Sequence, residues 1–338
     1  MSQDFASRPP LATQDASKAT NLMLSHNSLE LENNFGVSST IKPPAAWAEF
    51  YQRMIDERKG KPTQAVNFTE VFQGHRYRCI LANSASGYGI TMRKLLSSIP
   101  RLNEDLNLRW DVIEPLLAQV GLTLFCGEMG SGKSTTMISA LEMLGAARRG
   151  PLGTAEDPIE VIYPGPGVIQ REIGTHVNSF AEAIRDFMRQ YRKTIMVGEI
   201  RDPETAMQAV IAASSGHRVV GTLHAESAPD AIVRMQTLLD DKFARILPGV
   251  LSGIWWQHIV RFGDDSRPPL PIYESIQVTP TVRGMIEDGK LQMVPAEMKR
   301  QGRENMTETA TRHVTNRRAK PDELRRFLAV RNRVAGAV

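Results

Sequence analysis

Gly127-Glu128-Met129-Gly130-Ser131-Gly132-Lys133-Ser134 is the stretch that decides the fold of this chain. It fits G-x-x-x-x-G-K-[ST], a loop whose glycines let backbone N–H groups turn inward against phosphate oxygens. Gly127, Gly130, Ser131 and Gly132 supply the cradle, and Lys133 reaches the outer phosphates as a point charge. The hydroxyl of Ser134, with Thr135 behind it, can meet a phosphate-bound Mg²⁺. The flanks carry as much weight as the loop. Leu122-Thr123-Leu124-Phe125-Cys126 reads as a buried strand, and Met137, Ala140, Leu141 and Leu144 recur at helical spacing over residues 134–144. Strand, loop and helix together put the positive end of a helix at the phosphates. A glycine turn beside a surface lysine would need neither flank.

Working outward toward the C-terminus, strand and helix patterns alternate, the mark of a parallel sheet covered on both faces. Strands are expected at residues 168–172, 194–197, 219–223 and 272–278. Helices are expected at 180–190, 203–214, 228–239, 249–258 and 281–287. Asp202 reads as an N-cap with Pro203 in the first turn. Toward the N-terminus, residues 112–119 form a short helix behind a polar linker at 101–108. Before that come strands at 65–72, 77–83 and 89–95 and a helix at 46–58 with Trp47, Phe50, Tyr51 and Met54 on one face. Residues 1–43 are polar, weakly periodic and closed by Pro43-Pro44, which reads as a mobile or loosely docked arm.

A phosphate loop binds nucleotide, but hydrolysis also needs a carboxylate on the attacking water, metal support and a sensor of the terminal phosphate. Ile195-Met196-Val197-Gly198-Glu199 is an apolar strand ending in a carboxylate, the place for a water-activating base. The position where an Asp ordinarily holds Mg²⁺ is Gly198, so a second carboxylate must come from elsewhere. Glu156-Asp157, in Thr154-Ala155-Glu156-Asp157-Pro158-Ile159-Glu160, is the source the sequence offers, and Ser134, Glu156 and Asp157 are the expected metal residues. In Gly216-His217-Arg218-Val219-Val220-Gly221-Thr222-Leu223-His224, His224 ends a strand and can read the terminal phosphate, while His217 braces the turn before it. Taken singly, the acidic pair is a surface turn and each histidine a structural residue. Beside the phosphate loop they read as one site.

Composition narrows the class. The chain has 338 residues, 41% hydrophobic and 23% charged, ordinary globular values. No apolar run approaches the ~18 residues of a membrane span, and the N-terminus shows no signal-peptide pattern, so a cytoplasmic protein is expected. The two cysteines, Cys79 and Cys126, sit in strand-like runs and read as core thiols. Net charge is +4, and residues 299–338 carry 11 Lys/Arg against 4 Asp/Glu, so the basic excess lies there. Such a stretch suits a membrane surface, nucleic acid or an acidic partner. Only Phe327 interleaves its arginines, which gives no base-stacking platform, so direct nucleic-acid binding is not expected.

In their order and spacing these motifs resemble the secretion ATPase superfamily, the hexameric motors of type II and type IV secretion, type IV pilus assembly and retraction, and conjugation. The phosphate loop, the Asp box at 154–160, Val197-Gly198-Glu199 with Arg201-Asp202, and the His box at 216–224 carry the likeness. Thr279-Pro280-Thr281-Val282-Arg283 and Ile286-Glu287-Asp288-Gly289-Lys290 extend it toward the PilT-like branch. No four-cysteine zinc element is present, which points to the PilT-like, DotB-like and conjugative branches. Arg148-Arg149-Gly150-Pro151-Leu152-Gly153 matches poorly the apolar strand such proteins carry there, so an irregular segment is expected.

The resemblance implies an α/β fold, with a RecA-like P-loop NTPase domain at 109–298 and a smaller PAS-like α+β domain at 44–108. Residues 1–43 would be the arm and 299–338 a basic helical tail. It implies ATP and Mg²⁺ as ligands, and Glu199, Glu156, His224 and Arg93 as catalytic groups. Arg78, Arg185 and Arg189 are further arginines that match family positions. It also implies a homo-hexamer that meets inner-membrane platform proteins and is peripheral to that membrane. The expected function is ATP hydrolysis powering a type IV secretion or conjugative transfer machine. A pilus retraction motor is the first rival, then a DNA-stimulated translocase, then a non-hydrolysing scaffold.

Overall fold

The computed structural model describes residues 19–32, 38–58, 65–262 and 267–328. Two compact units divide it, one within Met1–Ser98 with Phe262–Pro268, the other Ile99–Arg261 with the chain from Pro269 onward.

The first unit is a six-stranded antiparallel sheet with one helix. Its elements are β1 (Asn21–Leu24), β2 (Leu29–Glu32), β3 (Ser38–Ile41), α1 (Ala45–Arg58), β4 (Val66–Phe72), β5 (His75–Ser84) and β6 (Gly87–Lys94), in sheet order β3-β2-β1-β6-β5-β4. Trp47, Phe50, Tyr51 and Met54 of α1 share one core with Leu22, Leu24, Leu29, Leu31, Tyr77, Cys79, Leu81, Ile90 and Met92. Strands β1 to β3 correct the expectation of an arm over residues 1–43. Leu22/Leu24 and Leu29/Leu31 alternate with exposed neighbours, a period of two too short to stand out in a polar stretch. The arm's first 18 residues lie outside the described ones.

The second unit runs α2 (Trp110–Leu117), β7 (Gly121–Cys126), α3 (Lys133–Arg149), β8 (Leu152–Glu156), β9 (Val168–Glu172), α4 (Phe180–Arg189), β10 (Thr194–Val197), α5 (Pro203–Ser214), β11 (Arg218–Leu223), α6 (Ala228–Leu238), α7 (Asp241–Val250), β12 (Leu251–Val260), β13 (Leu270–Gln277), α8 (Pro280–Glu287), α9 (Val294–Arg300), α10 (Met306–Thr315) and α11 (Arg325–Leu328). The sheet order is β13-β12-β7-β11-β10-β8-β9, parallel except for β13. Crossovers between parallel strands are almost always right-handed. The path β7–α3–β8 runs one way along the sheet. The paths through α4, α5 and the α6–α7 pair run the other way, which puts α3 on one face and those helices on the opposite one. Contacts agree: α3 meets α2, while α4, α5, α6 and α7 touch one another. The sheet is thus covered on both faces, as the all-buried β7, β8 and β10 require.

Three further expectations change. Residues 249–258 were expected as a helix, but α7 ends at Val250 and β12 takes over. A run buried on both faces has no alternation to separate it from a buried helix, and Gly253 lets Leu116 approach to where a Cβ would sit 2.9 Å from it. Leu152–Glu156 is a regular, fully buried strand, not an irregular segment. Its Gly153 makes room for the Phe187 ring, which would stand 2.6 Å from a Cβ there. Residues 299–328 are packed structure rather than a tail. Ala310 and His313 of α10 are buried, and Thr309 Oγ1 donates to the Tyr273 carbonyl on β13 at 2.7 Å. Among the described residues no helix is long and apolar enough to cross a membrane.

Candidate active site

The C-terminal ends of β7, β11, β10 and β8 meet at one edge of the sheet, where the strand order reverses around β7, the usual place for a ligand in an open parallel sheet. Register fixes what arrives there. Leu223 pairs with Cys126, Val197 with Gly221, and Val197 with Ala155, so His224, Glu199, Glu156 and the loop after Cys126 leave the sheet together.

The loop itself is built as a cradle. Gly127, Gly130 and Gly132 all have positive φ, at 144°, 73° and 78°. A Cβ on Gly127 would stand 2.2 Å from the Gln257 carbonyl oxygen and 2.7 Å from Ser131 Oγ. α3 starts from Gly132 with no side chain capping its first turn, so its N–H groups are open to an anion. Ser131 Oγ is buried without a hydrogen-bond partner. Lys133 is buried, and its Nζ donates to the Glu128 carbonyl at 2.7 Å, folded back across the loop it would straighten along to reach a phosphate. Burial pushes its pKa below the ordinary lysine value. The carboxylates of Glu199, Glu128 and Glu160 pull it the other way. An orphaned hydroxyl, an uncapped helix and a desolvated lysine fit a phosphate chain. Ser134 is the hydroxyl beside it. Among the described residues no group of three or more His, Cys, Asp or Glu could cage a metal unaided. Such a site still suits Mg²⁺, which keeps several waters and leans on substrate phosphates.

A brace that the sequence reading missed holds this loop. Gln257 on β12 is fully buried. Its Nε2 donates to the Ser131 carbonyl at 2.6 Å, and its Oε1 accepts from Trp255 Nε1 at 2.7 Å. Nothing in the pattern around Gln257 separates it from any polar residue in an apolar run. Gln257→Leu is expected to strand the Trp255 indole N–H and cost about 1–3 kcal/mol, read as a lower urea midpoint.

Glu199 and His224 do come together: His224 Nε2 lies 3.3 Å from Glu199 Oε1, and Arg201 NH1 lies 3.6 Å from the other oxygen. Burial and the nearby Lys133 charge hold the His224 pKa below 6.5, so the ring is neutral near pH 7 and can donate a single N–H. Gly198 has a structural reason. A Cβ there would sit 3.0 Å from the Ala155 carbonyl oxygen and 3.3 Å from the Glu156 Cα, while Gly198 N donates to that carbonyl at 2.7 Å. Gly198→Asp, which would restore the carboxylate usual at that position, is therefore expected to destabilise by about 1–3 kcal/mol through overpacking, measurable by thermal or urea unfolding.

Glu156 is placed differently from a free ligand. It is buried, with Oε1 accepting from Thr154 Oγ1 at 2.6 Å and Gln170 Nε2 at 3.1 Å, and Oε2 accepting from Glu160 N at 3.3 Å. Burial raises its pKa. It thereby ties down the turn that carries exposed Asp157 and half-buried Glu160. Glu160, whose charge is felt at Lys133, is an acidic neighbour not singled out from sequence. His217 Nδ1 lies 2.8 Å from the Arg192 carbonyl, at the turn before β11. Arg185 pairs with Glu204 at 2.8 Å and Arg189 with Asp186 at 3.8 Å, both on the surface of α4. Arg78 and Arg93 belong to the first unit, where they are register partners on β5 and β6.

Comparison with known proteins places this geometry. Residues 84–325 match the family described as Type II/IV secretion system protein, more than half of the chain. An uncharacterised Escherichia coli K12 protein, YggR, is 32% identical over 255 residues, covering 74% of this chain and 76% of the relative. The type IV pilus ATPase PilU of Pseudomonas aeruginosa is 31% identical over 224 residues, covering 64% of this chain and 58% of PilU. Against the longer type II secretion system protein E of Aeromonas hydrophila, the chain is 43% identical but spans only 30% of that protein. A crystal structure of the pilus retraction motor PilT with bound ADP superimposes with a TM-score of 0.75 at 26% identity, covering 91% of this chain and 95% of that one. The Legionella pneumophila ATPase DotB shares the fold at a TM-score of 0.72 and 23% identity, with 88% of each chain covered.

Proposed function

This chain belongs to the Type II/IV secretion system protein family, and from that premise we propose that it is an ATPase working as a ring of six copies to drive a secretion or pilus-type machine. The observation that carries the reading is the 3.3 Å approach of His224 to Glu199 on the same sheet edge as the Lys133 loop. It supplies a carboxylate for water and a group to hold that carboxylate, beside a cation for the phosphates.

In this reading the N–H groups of residues 127–134 and the Lys133 ammonium hold the phosphate chain. Glu199 orients the attacking water and takes its proton. Before ATP binds, His224 holds the Glu199 carboxylate through its single N–H; with ATP in place that N–H turns to the terminal phosphate as Lys133 swings off the Glu128 carbonyl. The Ser134 hydroxyl would hold Mg²⁺ arriving with ATP, and the ion would supply charge neutralisation at the phosphate oxygens. Glu156 holds the turn that presents Asp157 and Glu160 to this edge, and Arg93 of a neighbouring copy adds positive charge to the phosphates. Opening and closing of such sites around a ring converts hydrolysis into movement of rigid units.

Within the family we place the chain on the type IV secretion or conjugative side, at the cytoplasmic face of the inner membrane, held there by platform proteins. A pilus retraction motor is the second reading, favoured by the nearly full-length likeness to PilT. The enzymatic reading is tested by phosphate release from ATP, run beside sedimentation or mass photometry. Turnover with Mg²⁺ and a six-copy species are expected. A chain that binds ATP without releasing phosphate would be a scaffold instead. Strong stimulation of turnover by DNA with a steep salt dependence would favour a translocase.

A further inference from the structure

One acidic side chain rides on the phosphate loop itself. Glu128 is the second residue of the cradle, and an unmasked carboxylate there would repel the anion that the loop is shaped to hold. Two groups distant in sequence meet it. Arg326 on α11 donates through NH1 to Glu128 Oε2 at 3.2 Å and through NH2 to Oε1. His258 on β12 brings Nδ1 to 3.4 Å from Oε2.

The segment carrying Arg326 is anchored from behind. Leu324 and Phe327 are buried, the Phe327 ring centroid lies 5.1 Å from that of His258, and the Phe327 carbonyl accepts from Thr307 Oγ1 of α10 at 3.0 Å. Arg326 itself is 63% exposed at the side chain and Glu128 39%. An ion pair that open contributes little to folding, so its effect falls on the field at the loop. Its neighbours are consistent with that. Burial holds the His258 pKa below the ordinary value, leaving the ring largely uncharged near neutrality. Hydrogen bonding from Arg326 is the main cause holding the Glu128 carboxyl below its ordinary range. Arg261, a second arginine at the loop, donates to the Gly130 carbonyl, with NH1 and NH2 both at 3.3 Å.

We propose that Arg326 is a positioning residue for nucleotide binding, drawing the Glu128 carboxylate aside and cancelling its charge so that the phosphate loop accepts a polyphosphate. The C-terminal segment then serves as the charge partner of the loop. This inference rests on the nucleotide reading above and adds a group to it.

The test uses the full chain and a fluorescent ATP analogue, with steady-state ATP turnover beside it. Arg326→Ala should weaken binding on the order of tenfold, with the loss in KM rather than in kcat and the unfolding temperature nearly unmoved. Arg326→Lys, which restores charge without the two-pronged grip, should recover most of it. In a Glu128→Gln background, Arg326→Ala should shift binding by less than about twofold, because the charge it masks is gone. Tighter binding or faster turnover in Arg326→Ala would mean that α11 holds the site shut, and overturns the proposal. So would an equal loss with or without Glu128. If wild type and Lys133→Ala bind the analogue alike, the nucleotide reading fails and takes this inference with it. If those two differ while Arg326→Ala binds like wild type, this inference alone falls.

Discussion

Glu199→Gln is expected to keep ATP bound and to lose turnover by about 10²–10⁴-fold, the usual contribution of a positioned base. The substitution preserves size and one hydrogen-bonding oxygen, so the neighbours at 3.3 Å and 3.6 Å, His224 and Arg201, keep their places. The amide cannot take a proton from water, and only the chemical step is touched. The measurement is single-turnover phosphate release beside a binding titration. Full turnover in this variant would remove Glu199 from the mechanism and move attention to Asp157 and Glu160.

Lys133→Ala is expected to act earlier. Its ammonium is the buried cation at the loop, and the bond to the Glu128 carbonyl is an internal stand-in that a phosphate replaces. Removing it forfeits charge-assisted hydrogen bonds to phosphate, and nucleotide affinity should drop by roughly a hundredfold or more, an order of magnitude beyond the Arg326 effect. The fold should survive, because truncation also removes a desolvated charge that burial penalises. Calorimetric titration and the unfolding temperature read the two sides separately. An unchanged affinity would take the loop out of nucleotide binding and overturn the nucleotide reading.

How much of this could be read from the chain depends on the kind of signal. The loop, the strand before it and the helix after it were legible because each residue type there has one physical use. α3 even breaks at Gly145, just past the expected end at Leu144. The Asp202 cap was legible for the same reason: its carboxylate accepts from Thr205 N at 2.8 Å. β12 was not, since burial on both faces erases period. β1 and β2 were not, since two leucines in four residues are too few to count. In the site, Glu199 and His224 could be placed on one edge from strand ends alone. Gln257 and Arg326 could not, because they reach the loop across 126 and 198 residues, and separation of that kind leaves no trace in local spacing. Glu156 was assigned as a ligand from its position in the box. Only the side-chain hydrogen bonds reveal that its two oxygens are already engaged.

The antiparallel strand β13 has a practical consequence. It is the last strand on its side of the sheet and pairs with β12 from Gly253 to Val260. Without it, the backbone of a strand bearing Ile254, Trp255 and Trp256 would become a long, apolar free edge, the kind that recruits other chains. A protein shortened to end before Leu270 would also lose the Tyr273 ring that stacks on Trp255 at 4.5 Å. Such a shortened protein should therefore be recovered as aggregate, even though every residue of the phosphate loop, Glu199 and His224 would still be in the chain.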